Sequence, residues 1–240
     1  MKHLDRRASP SEENSVWQAL FTRQLPALRR DMCAEFRAGF ELCRFDPARL
    51  PRHAQLSRQL YSVSGWKIET VPGLIPAREF FALVRERRFP SSEWIRHPSE
   101  LEYTSAPDAF HDLLGHLPQL CAGEFAPLIE ALAWDAVGVD DERIAELERL
   151  YWYTVEFGLV REHGELRAYG AGLASSIHEL DRALRAPDVQ RKPFDAESAR
   201  LRGFESQREQ DLYLVGASLE DLATQLRSSA LAARSTRKAS

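Results

Sequence analysis

A single, mainly α-helical domain of α+β type, with small β elements, is what this sequence predicts. Apolar residues recur at three- and four-residue steps over 15–43 and again from residue 140 onward, the helical period. Extended, β-prone stretches are few and short. No Gly/Ser-rich or Pro-rich linker and no internal repeat interrupts the 240 residues, a length that fits one domain at roughly 100–200 residues each.

In chain order, residues 1–14 are polar, contain Pro10 and predict a disordered lead-in. Residues 15–43 carry Trp17, Leu20, Phe21, Leu25, Leu28, Met32, Phe36 and Phe40, an amphipathic pattern that Pro26 should interrupt. Lys67–Val71, Leu166–Tyr169 and Asp211–Val215 predict short extended pieces. Pro76 opens a helix that ends near Arg88, with basic residues suited to the negative end of the dipole. Asp140 through Val160 predicts a long helix capped by Asp140 or Asp141, with Ile144, Leu147, Leu150 and Tyr151 as its apolar stripe. The folded domain is expected over 15–226, followed by a flexible basic tail over 227–240, where the composition turns small, polar and basic.

Composition removes several classes. Apolar residues make up 44% and charged residues 28%, enough to bury a core. The formal charge is −4 and the pI near 6.0, so no basic surplus favours nucleic acid. Arg85-Glu86-Arg87-Arg88 reads as a solvated helix end. Cys33, Cys43 and Cys121, an odd number without CxxC spacing, predict reduced thiols in a cytoplasmic protein. No apolar run approaches the ~18–20 residues of a membrane span, and the N-terminus has no apolar core of a signal peptide.

The first chemistry-bearing segment is His111-Asp112-Leu113-Leu114-Gly115-His116. Two imidazoles this close begin many transition-metal sites. On an ideal helix, however, residues five apart point roughly 140° away from each other. Both reach one metal only if the helix ends or bends between them, where Gly115 stands. The pair alone is equally compatible with one core and one surface histidine. A third donor is offered by Glu156, set among Val155, Phe157, Leu159 and Val160. A carboxylate buried there needs a cation or metal beside it; exposed, it would pair with Arg149 or Arg161. Two histidines and one carboxylate form the facial triad of non-haem Fe(II) oxygenases. A metal-dependent hydrolase is disfavoured, because neither a second metal cluster nor a convincing general base is visible. Gly170 and Gly172 lack the GK[ST] of a phosphate loop.

Several ordered motifs then resemble one family. PDAFHDLLGHLP (107–118), YWYTVEFGL (151–159) and YGAGLASS (169–176) are similar to signature segments of the tetrahydropterin-dependent aromatic amino acid hydroxylases, with the nearest likeness to bacterial phenylalanine 4-monooxygenases. Residues 71–98 and, more weakly, 193–216 resemble the same family in order and spacing, so the likeness covers about 15–225.

The resemblance implies that His111, His116 and Glu156 are the catalytic iron ligands, with Fe(II) and a tetrahydropterin (tetrahydrobiopterin or a related pterin) as cofactors and O2 as co-substrate. It implies Arg96 as the grip on the substrate carboxylate, Thr104 as a further contact to the amino-acid backbone, and Ser175 as the residue orienting the first iron histidine. Pro107, Trp152, Tyr213 and Val215 match positions near the substrate ring. Phe80 matches the residue stacking on the pterin, Gly73, Leu74, Ile75 and Ala77 its hydrogen-bonding edge, and Asp112 an acidic residue facing it. The implied reaction is ring hydroxylation of a free aromatic amino acid, L-phenylalanine to L-tyrosine. The alternatives are tryptophan 5-hydroxylation, phenylalanine hydroxylation at another ring position, or a non-catalytic homologue that binds an aromatic metabolite. Trp152 favours phenylalanine.

Departures from the family pattern are Ala106 before Pro107, Leu117-Pro118-Gln119 in place of the usual Val-Pro-Leu, and His178 where phenylalanine-specific members carry Gly. No regulatory domain or tetramerisation helix of the animal members is recognisable, so a monomer is expected. Its partners are then the amino acid and the reduced pterin alone, with no nucleic acid and no membrane.

Overall fold

Trp17 sets the first packing layer of the computed structural model, which describes residues 7–102, 104, 106–123 and 125–238. Helix α1 (Glu13–Asp31) buries Val16, Trp17, Leu20, Phe21, Gln24, Ala27, Leu28 and Asp31, one face at helical spacing. The Trp17 ring meets Phe21 and Phe45 at 5.7 Å and Phe110 at 5.6 Å, so this aromatic cluster anchors the residue just before His111. The expected break at Pro26 does not occur. Pro26 and Thr22, whose carbonyl loses its helical bond, are both exposed, which leaves that carbonyl to water. The chain breaks instead at Met32 and Cys33, where the Cys33 amide donates to the Ala168 carbonyl (2.8 Å). Helices α2 (Ala34–Cys43) and α3 (His53–Ser64) follow.

Residues 7–14 and 227–238 differ from expectation. Residues 1–6 of the lead-in lie outside the described residues. From Ala8 onward the segment is tied down: the Ala8 amide donates to Ile95 (2.9 Å), and the Ser9 amide to Glu12 (2.9 Å). The stretch read as a tail from Arg227 belongs largely to helix α11 (Leu219–Lys238). Its alanines, a mark of small-residue composition, are the strongest helix formers, and Ser229 donates to Glu197 (2.8 Å).

Strand β1 (Lys67–Val71) pairs in parallel with β2 (Arg88–Ser92), and helix α4 (Ala77–Arg85) makes the crossover. α4 stops short of Arg88 because Arg87, at φ 55°, turns the chain into β2. Helices α5 (Leu117–Cys121) and α6 (Ala126–Asp135) lead to α7 (Asp141–Tyr151), whose N-cap is the Asp140 side chain accepting from Arg143 N (2.9 Å). The helix expected to reach Val160 ends earlier. Leu159 and Val160 lie in strand β3 (Leu159–Glu162), antiparallel to β4 (Glu165–Ala168) and parallel to β6 (Leu212–Gly216), which also pairs with β5 (Gln190–Pro193). Short helix α8 (Ala171–Ala174), then α9 (Ile177–Arg185) and α10 (Ala196–Ala199), complete the chain. Buried apolar residues from Val16 to Leu226 form one continuous cluster, the single core that the predicted α+β domain requires.

Candidate active site

Both segments bearing the predicted ligands are wound more loosely than an α-helix. His111–His116 and Trp152–Glu156 are π-helical turns, the first running into α5 and the second continuing α7. With hydrogen bonds spanning five residues, each turn holds more residues, and side chains five apart come closer to one face than on an α-helix. That resolves the 140° problem of the histidine spacing. Gly115 has another job than bending the helix: a Cβ there would stand 2.7 Å from the Ala171 carbonyl, so glycine lets α8 press against the turn. The second turn closes with Phe157 N donating to Trp152 O (2.9 Å), while the Thr154 hydroxyl bonds back to Leu150 O, a local competitor of the regular helix.

The three donors converge. His111 and His116 Nε2 lie 3.2 Å apart, and Glu156 oxygens stand 3.6 Å from His111 Nε2 and 3.1 Å from His116 Nε2. Their outer contacts fix the tautomers. The Ser175 hydroxyl donates to Ala171 O (3.0 Å), so it accepts from His111 Nδ1 at 2.9 Å. The Gln119 amide nitrogen donates to the Val155 and Tyr169 carbonyls (2.9 Å each), leaving its oxygen 3.3 Å from His116 Nδ1 as acceptor. Both Nε2 lone pairs therefore point at each other and at a carboxylate, an arrangement that a divalent cation stabilises. Burial pushes His111 down to about 4, keeping it neutral at physiological pH. Burial would also lower His116, but the Glu156 carboxylate outweighs it and raises the group; burial pushes Glu156 up, and the two imidazoles draw it below its usual range. Two imidazoles and one carboxylate fit iron, and all three residues reach the cavity.

The triad borders a cavity of about 820 Å3. Gly73, Leu74, Ile75, Ala77, Phe80 and Asp112 all line it, as do Arg96, Thr104, Pro107, Trp152 and Ser175. Tyr213 and Val215 do not, which corrects their assignment to the ring pocket. Both belong to β6, an inner strand of the sheet. Tyr213 is wholly buried, and its hydroxyl donates to Glu179 (2.6 Å), a residue that does reach the cavity.

Arg96 is buried and held by Asp108: Nε donates to Oδ2 (2.8 Å), Nη2 to Oδ1 (2.9 Å) and the Arg96 amide to Oδ2 (2.9 Å). Its Nη1 has no hydrogen-bond partner among the described residues. Asp108 also accepts from the His111 amide (3.1 Å), so one carboxylate aligns both the guanidinium and the ligand turn. Phe80 meets Tyr151 edge-on at 5.1 Å, and Trp152 stacks on Phe204 at 4.2 Å. Asp112 accepts from Ser92 N (2.9 Å), and burial pushes its carboxyl up to about 7. At the mouth, Glu102 receives two bonds from Arg23 (2.6 and 2.8 Å) and one from His178 Nε2 (3.0 Å). Sequence reasoning missed Asp108, Gln119 and Glu102. The first was findable, since Asp after Pro before a helical run signals an N-cap.

The sequence profile of the biopterin-dependent aromatic amino acid hydroxylases matches residues 3–238. The chain is 38% identical over 213 residues to phenylalanine-4-hydroxylase of Caulobacter vibrioides, covering 88% of this chain and 72% of that protein. It is 35% identical over 213 residues to tyrosine 3-monooxygenase of Drosophila melanogaster, covering 87% of this chain but only 37% of that longer protein. Phenylalanine hydroxylase of Chromobacterium violaceum, solved with iron(III) and 7,8-dihydrobiopterin, superposes with a TM-score of 0.88 at 35% identity, covering 95% of this chain and 84% of that one. The chain belongs to the biopterin-dependent aromatic amino acid hydroxylases.

Proposed function

We propose that the protein is a non-haem iron(II), tetrahydropterin-dependent monooxygenase that converts free L-phenylalanine to L-tyrosine. The observation that carries this reading is the convergence of His111, His116 and Glu156 within 4.8 Å, at the edge of a cavity that also presents an anchored guanidinium. Iron held by these ligands would activate O2, the reduced pterin would supply the two electrons, and O2 itself is the source of the oxygen atom added to the ring. The chain supplies placement.

Arg96 takes the substrate carboxylate on Nη1, its other arm being fixed on Asp108. Thr104, whose hydroxyl donates to Ala106 O (3.1 Å), borders the same region and contacts the amino-acid backbone. Trp152 is immobilised by Phe204 and by its Nε1–H on Gln210 (3.1 Å). With Pro107 it gives a rigid apolar wall that aims one ring carbon at the open face of the metal site. Phe80 presents a ring face for pterin stacking, beside the Gly73–Ala77 backbone and the Asp112 carboxyl. The three free, buried cysteines suit a reducing cytoplasm.

The test is product mass spectrometry after loading Fe(II), with phenylalanine, tryptophan and tyrosine offered together under O2 with tetrahydropterin. The expected result is one added oxygen on phenylalanine, dependent on pterin and lost in Glu156→Ala together with the iron. A preference for tryptophan would refute the substrate, and full iron retention in Glu156→Ala would refute the triad.

A further inference from the structure

Gln119 is a buried polar side chain, only 1% exposed, and every hydrogen-bonding atom of its amide is engaged. Both amide protons are spent on the carbonyls of Val155 and Tyr169, at 2.9 Å each. This fixes the amide orientation, because the flipped form would set an oxygen against two carbonyl oxygens. The oxygen is thereby left to His116 Nδ1 at 3.3 Å, nearer than the Tyr151 hydroxyl at 3.5 Å.

Each of these contacts reaches a different part of the metal site. His116 is a ligand. Val155 immediately precedes the ligand Glu156. Tyr169 immediately precedes Gly170, where a Cβ would come within 2.2 Å of the Glu156 carbonyl. We infer that Gln119 is a positioning residue for the iron: it locks His116 in the Nδ1–H tautomer and pins the backbone carrying Glu156. His111 receives the equivalent service from Ser175 alone. The inference rests on the proposed role of the triad as iron ligands.

An outer partner that orients a ligating histidine is worth 10- to 100-fold in metal affinity. The apo-protein and its Gln119→Leu variant, which keeps the bulk and loses all three contacts, would be titrated with Co(II) and with Fe(II) against a chelator under anaerobic conditions. The expected result is metal dissociation constants raised about 10- to 100-fold in the variant, with an altered Co(II) absorption band. Affinities within two-fold of wild type would overturn the role of Gln119. A wild-type protein that takes up neither metal would sink the triad reading itself, so the two failures are distinguishable. Should Gln119→Leu fail to fold, Gln119→Met, which also removes all three contacts, is titrated in the same way, and metal affinities within two-fold of wild type would refute the proposal.

Discussion

Replacing Asp108 by Asn tests how the proposed substrate grip, Arg96, is held. The change preserves shape but removes a buried negative charge and turns one of two acceptors toward Arg96 into a donor facing a donor. Four hydrogen bonds converge on this carboxylate, three from Arg96 and one from the His111 amide. Breaking a buried pair from one side costs about 3–5 kcal/mol. For a domain of this size each kcal/mol moves the melting temperature by about 2–4 °C, so differential scanning calorimetry should show a fall of roughly 6–20 °C. KM for the amino acid should rise about ten-fold or more, because a charge-assisted hydrogen bond contributes about 1.5–3 kcal/mol. Arg96→Met combined with Asp108→Leu removes both charges and should recover most of the lost stability, while KM stays high. The wild type adds a pH signature. Burial raises the Asp108 carboxyl, and Arg96 more than offsets it, so the net shift is downward. A depressed carboxyl stabilises above its unfolded value near about 4 and loses that contribution as pH falls through the folded value. The double variant should lack this acid sensitivity. A melting shift below about 2 °C in Asp108→Asn, with KM unchanged, would refute the reasoning.

Gly170→Ala places a methyl 2.2 Å from the Glu156 carbonyl at a backbone φ of −64° that any residue tolerates, so the penalty is purely steric. A loss of about 1–3 kcal/mol in urea unfolding, together with weakened Co(II) uptake, is expected. Hydrogen bonds from Arg23 and then His178 hold the exposed Glu102 carboxyl down at about 2, so this tie at the cavity mouth persists through mild acid and is released only as pH falls from about 4 toward 2. In a 13C titration, Arg23→Met should move the Glu102 midpoint back toward ordinary glutamate. Burial pushes the Cys33 thiol up to about 12, so peptide mapping after iodoacetamide at pH 8 should find Cys33 unmodified in the native protein and modified after unfolding.

The candidate iron ligands were more legible in the sequence than the backbone that carries them. His111, His116 and Glu156 stand out by type and setting, and the Lys67–Val71 strand ends where the structure ends it. The π-helical turns were invisible, because the choice between four- and five-residue hydrogen bonds depends on what packs outside, here Ala171 against Gly115 and Thr154 against its own helix. Leu159 and Val160 extend an apolar run that reads equally as helix or strand, and only their partners in β4 and β6 decide. Gln119 gave a departure without a meaning: a lone glutamine among apolar residues gains significance only when two distant carbonyls, at 155 and 169, come to meet it. Tyr213 shows the opposite error, a residue near the pocket in sequence logic that works one contact behind it.

The two loosened turns bear on any attempt to move this site elsewhere. Each hydrogen bond in them spans one residue more than in a regular helix, and a single residue corresponds to roughly 100° of rotation about the axis. On ordinary four-residue bonding, the spacing from 111 to 116 would set the two imidazoles roughly 140° apart. Transplanting the ligand identities into a straight helical bundle would therefore scatter the donors. The looser winding must travel with them, which makes backbone winding, as much as side-chain choice, part of the recipe for binding the metal.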